Sequence, residues 1–168
     1  NGSSGKLGRG VLSGVQVPGT VKVLSAITAI SAMSQHALAV DNAGSVWSWG
    51  MNRYGALGDG PTDDRSTPAR VNGLPSIVGV AAGSYHSLAL SGSGEVWAWG
   101  YNATGQLGDG STTDRLAPVK VAGLGNVVAV SAGSNSSCAM DANGKLWTWG
   151  HNNSGQLGRG ASEPSSRN

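Results

Sequence analysis

Two histidines at one position of a repeating pattern are the residues whose type and spacing could most directly do chemistry. His36 and His86 lie 50 positions apart, and imidazole can serve as a metal ligand or as a general acid or base. Either role needs further groups that converge on the ring. The next copy of the pattern carries Ser136 at this position, so no ring of ligands is expected. We therefore predict that each histidine ends a strand and is hydrogen-bonded to backbone.

Two acidic loops that contain glycine are the second candidates for chemistry. Residues 59–65 and 109–115 each begin with Asp-Gly and end with Asp-Arg, and carboxylate oxygens of this kind suit calcium. Their spacing is not that of a calcium-binding loop. Arg65 and Arg115 can instead pair with the neighbouring acids. We expect loops held by Asp–Arg contacts, without a metal.

The remaining candidates for chemistry are a glycine-rich element and a single cysteine. The pattern G-x-L-G-x-G, as at 55–60, matches neither a P-loop nor a dinucleotide fingerprint, and no helix follows it. We interpret these glycines as turn formers. Cys138 occupies an apolar position of the repeat, which predicts an inert thiol. No catalytic residue and no cofactor is expected, and the chain is not predicted to be an enzyme.

The elements that position these residues form a repeat of 50 residues. The motif W-x-W-G recurs at 47–50, 97–100 and 147–150, each time followed by a variant of N-x-x-G-x-L-G-x-G. Each copy contains four short segments rich in Val, Leu or Trp, with Gly, Asn, Asp or Pro between them. In the second copy they are 69–73, 77–83, 86–91 and 95–100. Four strands per repeat at this period predict an all-β protein built from β-propeller blades of four antiparallel strands.

Large indoles from one blade are expected to pack against small residues of the next. Residues two apart point to one face of a strand, so both tryptophans of each W-x-W pair share a face, while Val80-Ala81-Ala82-Gly83 is small enough for the innermost strand. The hydrophobic effect then acts between blades. The predicted core consists of these residues: Trp47, Trp49, Trp97, Trp99, Trp147, Trp149, Leu57, Leu107 and Leu157.

By phase, the chain divides into four parts. Residues 1–26 contain the outer strand of a preceding blade (17–23), residues 27–76 and 77–126 form two blades, and residues 127–168 form a three-stranded partial blade with a C-terminal tail. Three blades cannot easily close a ring. Two interpretations stay open: a fragment of a longer propeller, or chains that exchange strands in an oligomer. Both predict self-association through open blade edges.

The residues of one blade resemble a known repeat. Residues 80–90 (VAAGSYHSLAL) and the W-x-W-G-x-N-x-x-G-x-L-G element are similar to the two motifs of the regulator of chromosome condensation repeat family. The resemblance covers essentially the whole chain. It implies a propeller that normally has seven blades, in which an outer strand from one terminus completes the blade at the other.

Charge and composition narrow the choice of partners. The net charge is +2, the eleven basic residues are scattered, and the apolar runs are short, so neither nucleic acid nor a membrane is an expected partner. The single cysteine allows no intrachain disulfide. Localisation is left open. Low charge with abundant Ser, Thr and Asn is compatible with an extracellular protein.

The favoured function is a scaffold that binds a protein partner, not identified from sequence, through the loops between strands. Positions that vary between repeats mark the candidate contacts. Two alternatives are retained. One is guanine nucleotide exchange on a Ran-type GTPase, which the resemblance suggests but which is associated with an inserted wedge that these gap-free repeats lack. The other is a secreted bacterial surface or inhibitor protein. The candidate contact residues are Arg53, Tyr54, Asp63, Asp64, Arg65, Tyr85, Thr104, Thr113, Asp114, Arg115, Asn135 and Asn153.

Overall fold

The computed structural model describes residues 5–10, 18–21 and 23–160. They form three antiparallel sheets that follow one another along the chain, two of four strands and one of three. Within each sheet, the strands are bonded in chain order, as in the blades of a propeller. The strands are β1 Ile27–Met33, β2 His36–Asp41, β3 Val46–Gly50 and β4 Arg65–Arg70; β5 Ile77–Ala82, β6 His86–Ser91, β7 Val96–Gly100 and β8 Arg115–Lys120; β9 Val127–Ala132, β10 Ser136–Asp141 and β11 Leu146–Gly150.

The outer strands differ from the sequence-based expectation. β4 spans Arg65–Arg70 rather than the predicted 69–73, because Gly50 pairs with Arg65 and Trp47 pairs with Arg70. In the predicted strand at 17–23, the described residues 18–21 and 23 form no strand; the others lie outside the described residues. An outer strand depends on a neighbouring strand for its ladder of hydrogen bonds, and the described residues before β1 include no sheet.

The core lies between the sheets. Leu88, on one face of the second blade, belongs to a cluster with Ala139 and Trp149 of the third blade. Trp99, on the opposite face, belongs to a cluster with Leu38 and Val46 of the first blade. Alternation along each strand thus gives every blade one apolar face for each neighbour. The second tryptophan of each pair is buried and the first is half-buried, while Leu57, Leu107 and Leu157 are buried.

Each buried indole also bonds to the preceding repeat. Trp99 Nε1 donates to the carbonyl of Ala56 at 2.8 Å, Trp149 Nε1 to that of Gln106 at 2.9 Å, and Trp49 Nε1 to that of Lys6 at 2.9 Å. The same bond at every junction fixes the depth at which one blade packs on the next. A buried indole N–H needs such a partner.

A glycine of the G-x-L-G-x-G element makes this packing possible. Gly58 has φ +74°, and a Cβ there would lie 2.7 Å from Trp99 Nε1. Gly8 and Gly108 stand in the same relation to Trp49 and Trp149. The sequence-based interpretation as turn formers is therefore incomplete, because these glycines also permit close contact between the backbone and an indole.

We expect Gly58→Ala to destabilise the chain more than Gly105→Ala does. Gly105 has φ +75°, but nothing lies within 4 Å of its Cβ position. Both variants place alanine in the left-handed region, at a cost of roughly 1–2 kcal/mol. Only Gly58→Ala also drives a methyl group into the indole, which adds roughly 1–3 kcal/mol. Urea unfolding followed by tryptophan fluorescence measures the difference. Equal midpoints for the two variants would contradict this role of Gly58.

Among the described residues, part of one apolar face is exposed on each of the two terminal blades. The face of the first blade carries Trp49, Ile27 and Ile30 around a groove of about 450 Å³. On the third blade, Met140 and Leu146 are exposed. These are the faces through which the sequence predicts association with further blades or with a second copy.

None of the described residues lies in a helix that could span a membrane.

Candidate functional site

The long loop after the third strand of each blade is organised by a buried asparagine. Asn52 Oδ1 accepts a hydrogen bond from the backbone N–H of Leu57 at 2.8 Å, and its Nδ2 donates to the carbonyl of Pro61 at 2.7 Å. Asn102 Oδ1 accepts from Leu107 in the same way, at 2.9 Å. Hydrogen bonds from an asparagine side chain to nearby backbone stabilise a loop that lacks the backbone hydrogen bonds of a helix or sheet. Side-chain hydrogen bonds therefore hold each of these loops in a defined conformation.

Both acidic loops contain the expected Asp–Arg pairs. Arg65 is paired with Asp59, and Arg115 Nε lies 2.7 Å from Asp109 Oδ2. Burial raises the pKa of Asp109, but hydrogen bonds from Arg115, Ser111 and Asn102 outweigh burial and hold that pKa below its usual value. Among the described residues, no three His, Cys, Asp or Glu side chains are grouped to hold a metal. The arginines therefore help to hold the loops together.

A second acid in each loop accepts a backbone bond. Asp64 Oδ1 accepts from the N–H of Asn52 at 2.9 Å, and Asp114 Oδ1 accepts from the N–H of Asn102 at 2.7 Å. One oxygen of each carboxylate thus holds the loop against the end of the preceding strand. The other oxygen has no hydrogen bond within the described part of the chain.

Tyr54 has a backbone conformation that its counterparts do not share. Its φ is 66° and its ψ is 13°, in the left-handed region, whereas Thr104 and Ser154 have negative φ. In the second repeat, Gln106 Oε1 accepts from the N–H of Thr104 at 3.0 Å; the third repeat has the same bond from Ser154 to Gln156. The first repeat has Ala56 at this position, and its side chain offers no acceptor. A tyrosine with positive φ stores strain, and strain of this kind concentrates at functional sites.

The three tyrosines of the chain meet at this strained loop. The ring centroid of Tyr54 lies 5.6 Å from that of Tyr85 with the rings nearly perpendicular, and 4.7 Å from that of Tyr101. The guanidinium carbon of Arg53 lies 5.2 Å from the Tyr54 centroid. All three rings are half-buried. The first two blades therefore present one aromatic cluster at their junction, the tyrosine cluster, with a cation already over one ring.

An open groove of about 580 Å³ borders the tyrosine cluster. Its volume is within the range of protein sites that hold ligands. Two carboxylates, one guanidinium and the apolar side chains of a methionine and a leucine contribute to its surface. The groove is lined by Met51, Arg53, Tyr54, Thr62, Asp64, Asp114 and Leu116.

The structure brings some of the predicted contact residues together and separates others. Arg53, Tyr54, Asp64 and Asp114 line the groove, and Tyr85 supports it through Tyr54. The remainder do not line it: Asp63, Arg65, Thr104, Thr113, Arg115, Asn135 and Asn153. Sequence reasoning left out Met51 and Tyr101. Tyr101, Met51 and His151 occupy one position of the repeat. An aromatic residue at this variable position was the signal that could have identified Tyr101 as a contact.

The repeated histidines lie between blades, away from this groove. His36 Nε2 is 2.9 Å from Ser87 Oγ, and His86 Nε2 is 2.9 Å from Ser137 Oγ. Each serine hydroxyl donates to a loop carbonyl, Ser87 to Ala56 at 2.9 Å, so it accepts from the imidazole. The predicted backbone partner was wrong. The strand end that carries each histidine packs against the next blade, and a serine hydroxyl of that blade lies within hydrogen-bond distance of the imidazole.

Burial keeps both imidazoles neutral. It lowers the pKa of His36 from 6.5 to about 4. Burial, with a smaller contribution from His36, lowers the pKa of His86 to about 3. Neither His36 nor His86 lines the groove. These histidines are structural links between the blades.

Comparison of the sequence with family models finds repeats of one kind along the chain. A model described as the regulator of chromosome condensation (RCC1) repeat matches residues 43–90 and 93–140. A second model of that repeat matches residues 27–56, 77–106 and 127–156. No curated protein sequence matches the chain significantly.

Among solved structures, human WBSCR16 superposes with a TM-score of 0.82 at 24% identity, over 99% of this chain and 44% of its own. Yeast RCC1 (Prp20), in a complex with Kap60, superposes with a TM-score of 0.76 at 23% identity, over 100% and 43%. Another structure, of Prp20p from Saccharomyces cerevisiae, gives 0.56 at 24% identity, over 77% and 45%; its description concerns binding to Gsp1p and histones. The chain thus spans less than half the length of these proteins, and the likeness shows the propeller fold.

Proposed function

Because the chain belongs to the regulator of chromosome condensation repeat family, we propose that it is a protein-interaction scaffold that binds its partner through the loops at the junction of the first two blades. The observation that carries this proposal is Tyr54, which is held at a φ of 66° against Tyr85 and Tyr101 beside an open groove. Rigid blades position the loops, and the loops differ from repeat to repeat.

The composition of the junction supports binding to a protein. Tyrosine and arginine are the residue types most enriched among the few contacts that dominate interface energies. Here the Tyr54 ring contacts Tyr85, Tyr101 and Arg53, and this packing reduces the side-chain entropy that would be lost on binding. The second junction carries Ala103 and Thr104 at the corresponding positions. The aromatic surface is thus particular to one junction, as expected for a specific site.

The same residues argue for binding rather than catalysis. The histidines are buried between blades with lowered pKa values, and the arginines of the loops are paired with aspartates. The groove therefore offers aromatic contact and charge, but no nucleophile paired with a general base. We propose that the chain acts by presenting a surface.

The test compares Tyr54→Gly with Thr104→Gly, its counterpart in the next repeat. Glycine at position 54 removes the ring and its contacts but suits the left-handed backbone, so the loop should keep its backbone conformation. A partner is isolated by affinity capture on the parent chain, purified and titrated by calorimetry. Tyr54→Gly should bind it at least 10-fold more weakly, whereas Thr104→Gly should bind it as the parent does. Equal affinity of all three chains would refute this site.

A further inference from the structure

The charge around the groove is predominantly negative. Asp64 and Asp114 line it from the loops of two successive blades, and each uses one oxygen to accept a backbone bond. The second oxygen of each has no hydrogen bond within the described residues and can accept from a ligand. Asp63 beside them is exposed. Against these acids, the groove itself contributes one cation, Arg53.

The other cations of the same loops are already neutralised. Arg65 is paired with Asp59 and Arg115 with Asp109, so neither offsets the acids of the groove. An acidic segment or a nucleic acid would meet two carboxylates on entry and would be repelled. A positively charged group has the complementary sign.

The aromatic and apolar surfaces suit a basic side chain in particular. Arg53 already lies over one face of the Tyr54 ring, so a ligand side chain is placed against the other surfaces of the groove. Met51 and Leu116 also line the groove, and Leu116 is 42% exposed. Long basic side chains cover apolar surface with their aliphatic stems while their charged ends reach oxygens. The apolar walls of the groove suit the aliphatic stem of such a side chain, and the two free carboxylate oxygens suit its charged end.

From this arrangement, the geometry points to recognition of an arginine or lysine side chain on an extended segment of the partner protein, with the charged end between Asp64 and Asp114 and the stem along Met51 and Leu116. This inference rests on the proposed function and specifies the chemistry of the partner. The two loops that hold the carboxylates come from successive blades, so the site exists only where the first two blades are packed together.

The test uses a synthetic peptide as the probe. The chain, labelled with ¹⁵N, is titrated with acetyl-Gly-Leu-Arg-Leu-Gly-amide and followed by NMR. Parallel titrations use the peptide with lysine at the central position and with citrulline, which keeps the shape of arginine but not its charge. We expect saturable shifts at residues 53, 54, 64 and 114 with the arginine or lysine peptide, and at least 10-fold weaker binding with citrulline. Binding of the citrulline peptide as tight as that of the charged ones would overturn the inference.

Substitutions then locate the charge. Asp64→Asn and Asp114→Asn keep the oxygen that accepts the backbone bond but lose the negative charge, so the loop is retained, which a thermal melt verifies. Each should weaken binding of the charged peptides roughly 3- to 10-fold, whereas Asp63→Asn, next to the groove, should not. The aspartate variants could bind the charged peptides as the parent does while Tyr54→Gly has lost the protein partner. In that case the inferred recognition of a basic side chain is wrong, but the proposed binding site is retained. If Tyr54→Gly also keeps that partner, the proposed function itself has failed.

Discussion

Replacing Trp99 with alanine is expected to cost roughly 3–5 kcal/mol of the free energy of unfolding. Trp99 is fully buried and packs with Leu38, Val40 and Val46 of the preceding blade. The substitution removes the largest side chain from that junction together with the bond from Nε1 to Ala56. A domain of this size has about 5–15 kcal/mol of total stability, so the loss is a large share of it.

The matched control is Trp97→Ala on the same strand. Trp97 is half-buried, and its Nε1 has no hydrogen-bond partner among the described residues. Ser91 stands where the other repeats have Asp41 and Asp141, which accept from Trp47 and Trp147. We expect Trp97→Ala to cost less than half as much as Trp99→Ala. Urea unfolding followed by far-ultraviolet circular dichroism measures both. If the two variants lost the same stability, packing between blades would not be the main source of cohesion.

Lowering the pH from 7 to 4 is expected to destabilise the chain through His36 and His86. Their pKa values in the folded chain are about 4 and about 3, whereas the ordinary value is 6.5. Between these limits, the unfolded chain binds protons that the folded chain excludes, so stability is full above pH 6.5 and falls as the pH falls. Each histidine contributes a loss of roughly 1 kcal/mol per pH unit within its window.

The carboxylates titrate in a lower range and can be separated from the histidines. The pKa values of Asp41, Glu95, Asp109 and Asp141 are lowered by hydrogen bonds and charges that outweigh burial. Stability due to these groups is therefore present above their ordinary values, near 4, and is lost only as the pH falls further. The unfolded carboxylates begin to bind protons below about pH 5, so a decline between pH 6.5 and about 5 is specific to the imidazoles.

Glutamine variants provide the check. His36→Gln and His86→Gln keep a side-chain donor that can reach Ser87 or Ser137 but cannot take up a proton. Each should reduce the slope of unfolding free energy against pH between 6.5 and 4, measured by urea titration at a series of pH values. His151→Gln, at a loop histidine whose ring bonds to Gln156, should leave that slope unchanged. A slope unaffected by either interior variant would show that these histidines are not buried between blades in solution.

The repeat architecture was predictable because a motif that recurs at a fixed period is expected to adopt the same local structure in each copy. Three copies of W-x-W-G at a spacing of 50 predicted all-β propeller blades. The resemblance of residues 80–90 and of the W-x-W-G-x-N-x-x-G-x-L-G element indicated the family, and both predictions are confirmed. The alternation of side chains along a strand and the size of an indole are local properties, so they can be interpreted without knowing which distant residues lie nearby. The outer strand was misplaced, since its register with Trp47 and Gly50 depends on the course of a long loop.

The candidate site was only partly predictable from local pattern. Arg53, Tyr54 and Tyr85 stood out as variable positions in a constant frame, but their meeting with Tyr101 has no period in the sequence. It results from the packing of two blades, which places distant loops side by side. Likewise, His36 meets Ser87 only across that junction. Strands and blades follow from residue types near one another along the chain, whereas contacts between blades depend on how the finished sheets pack, and only the tertiary structure decides that.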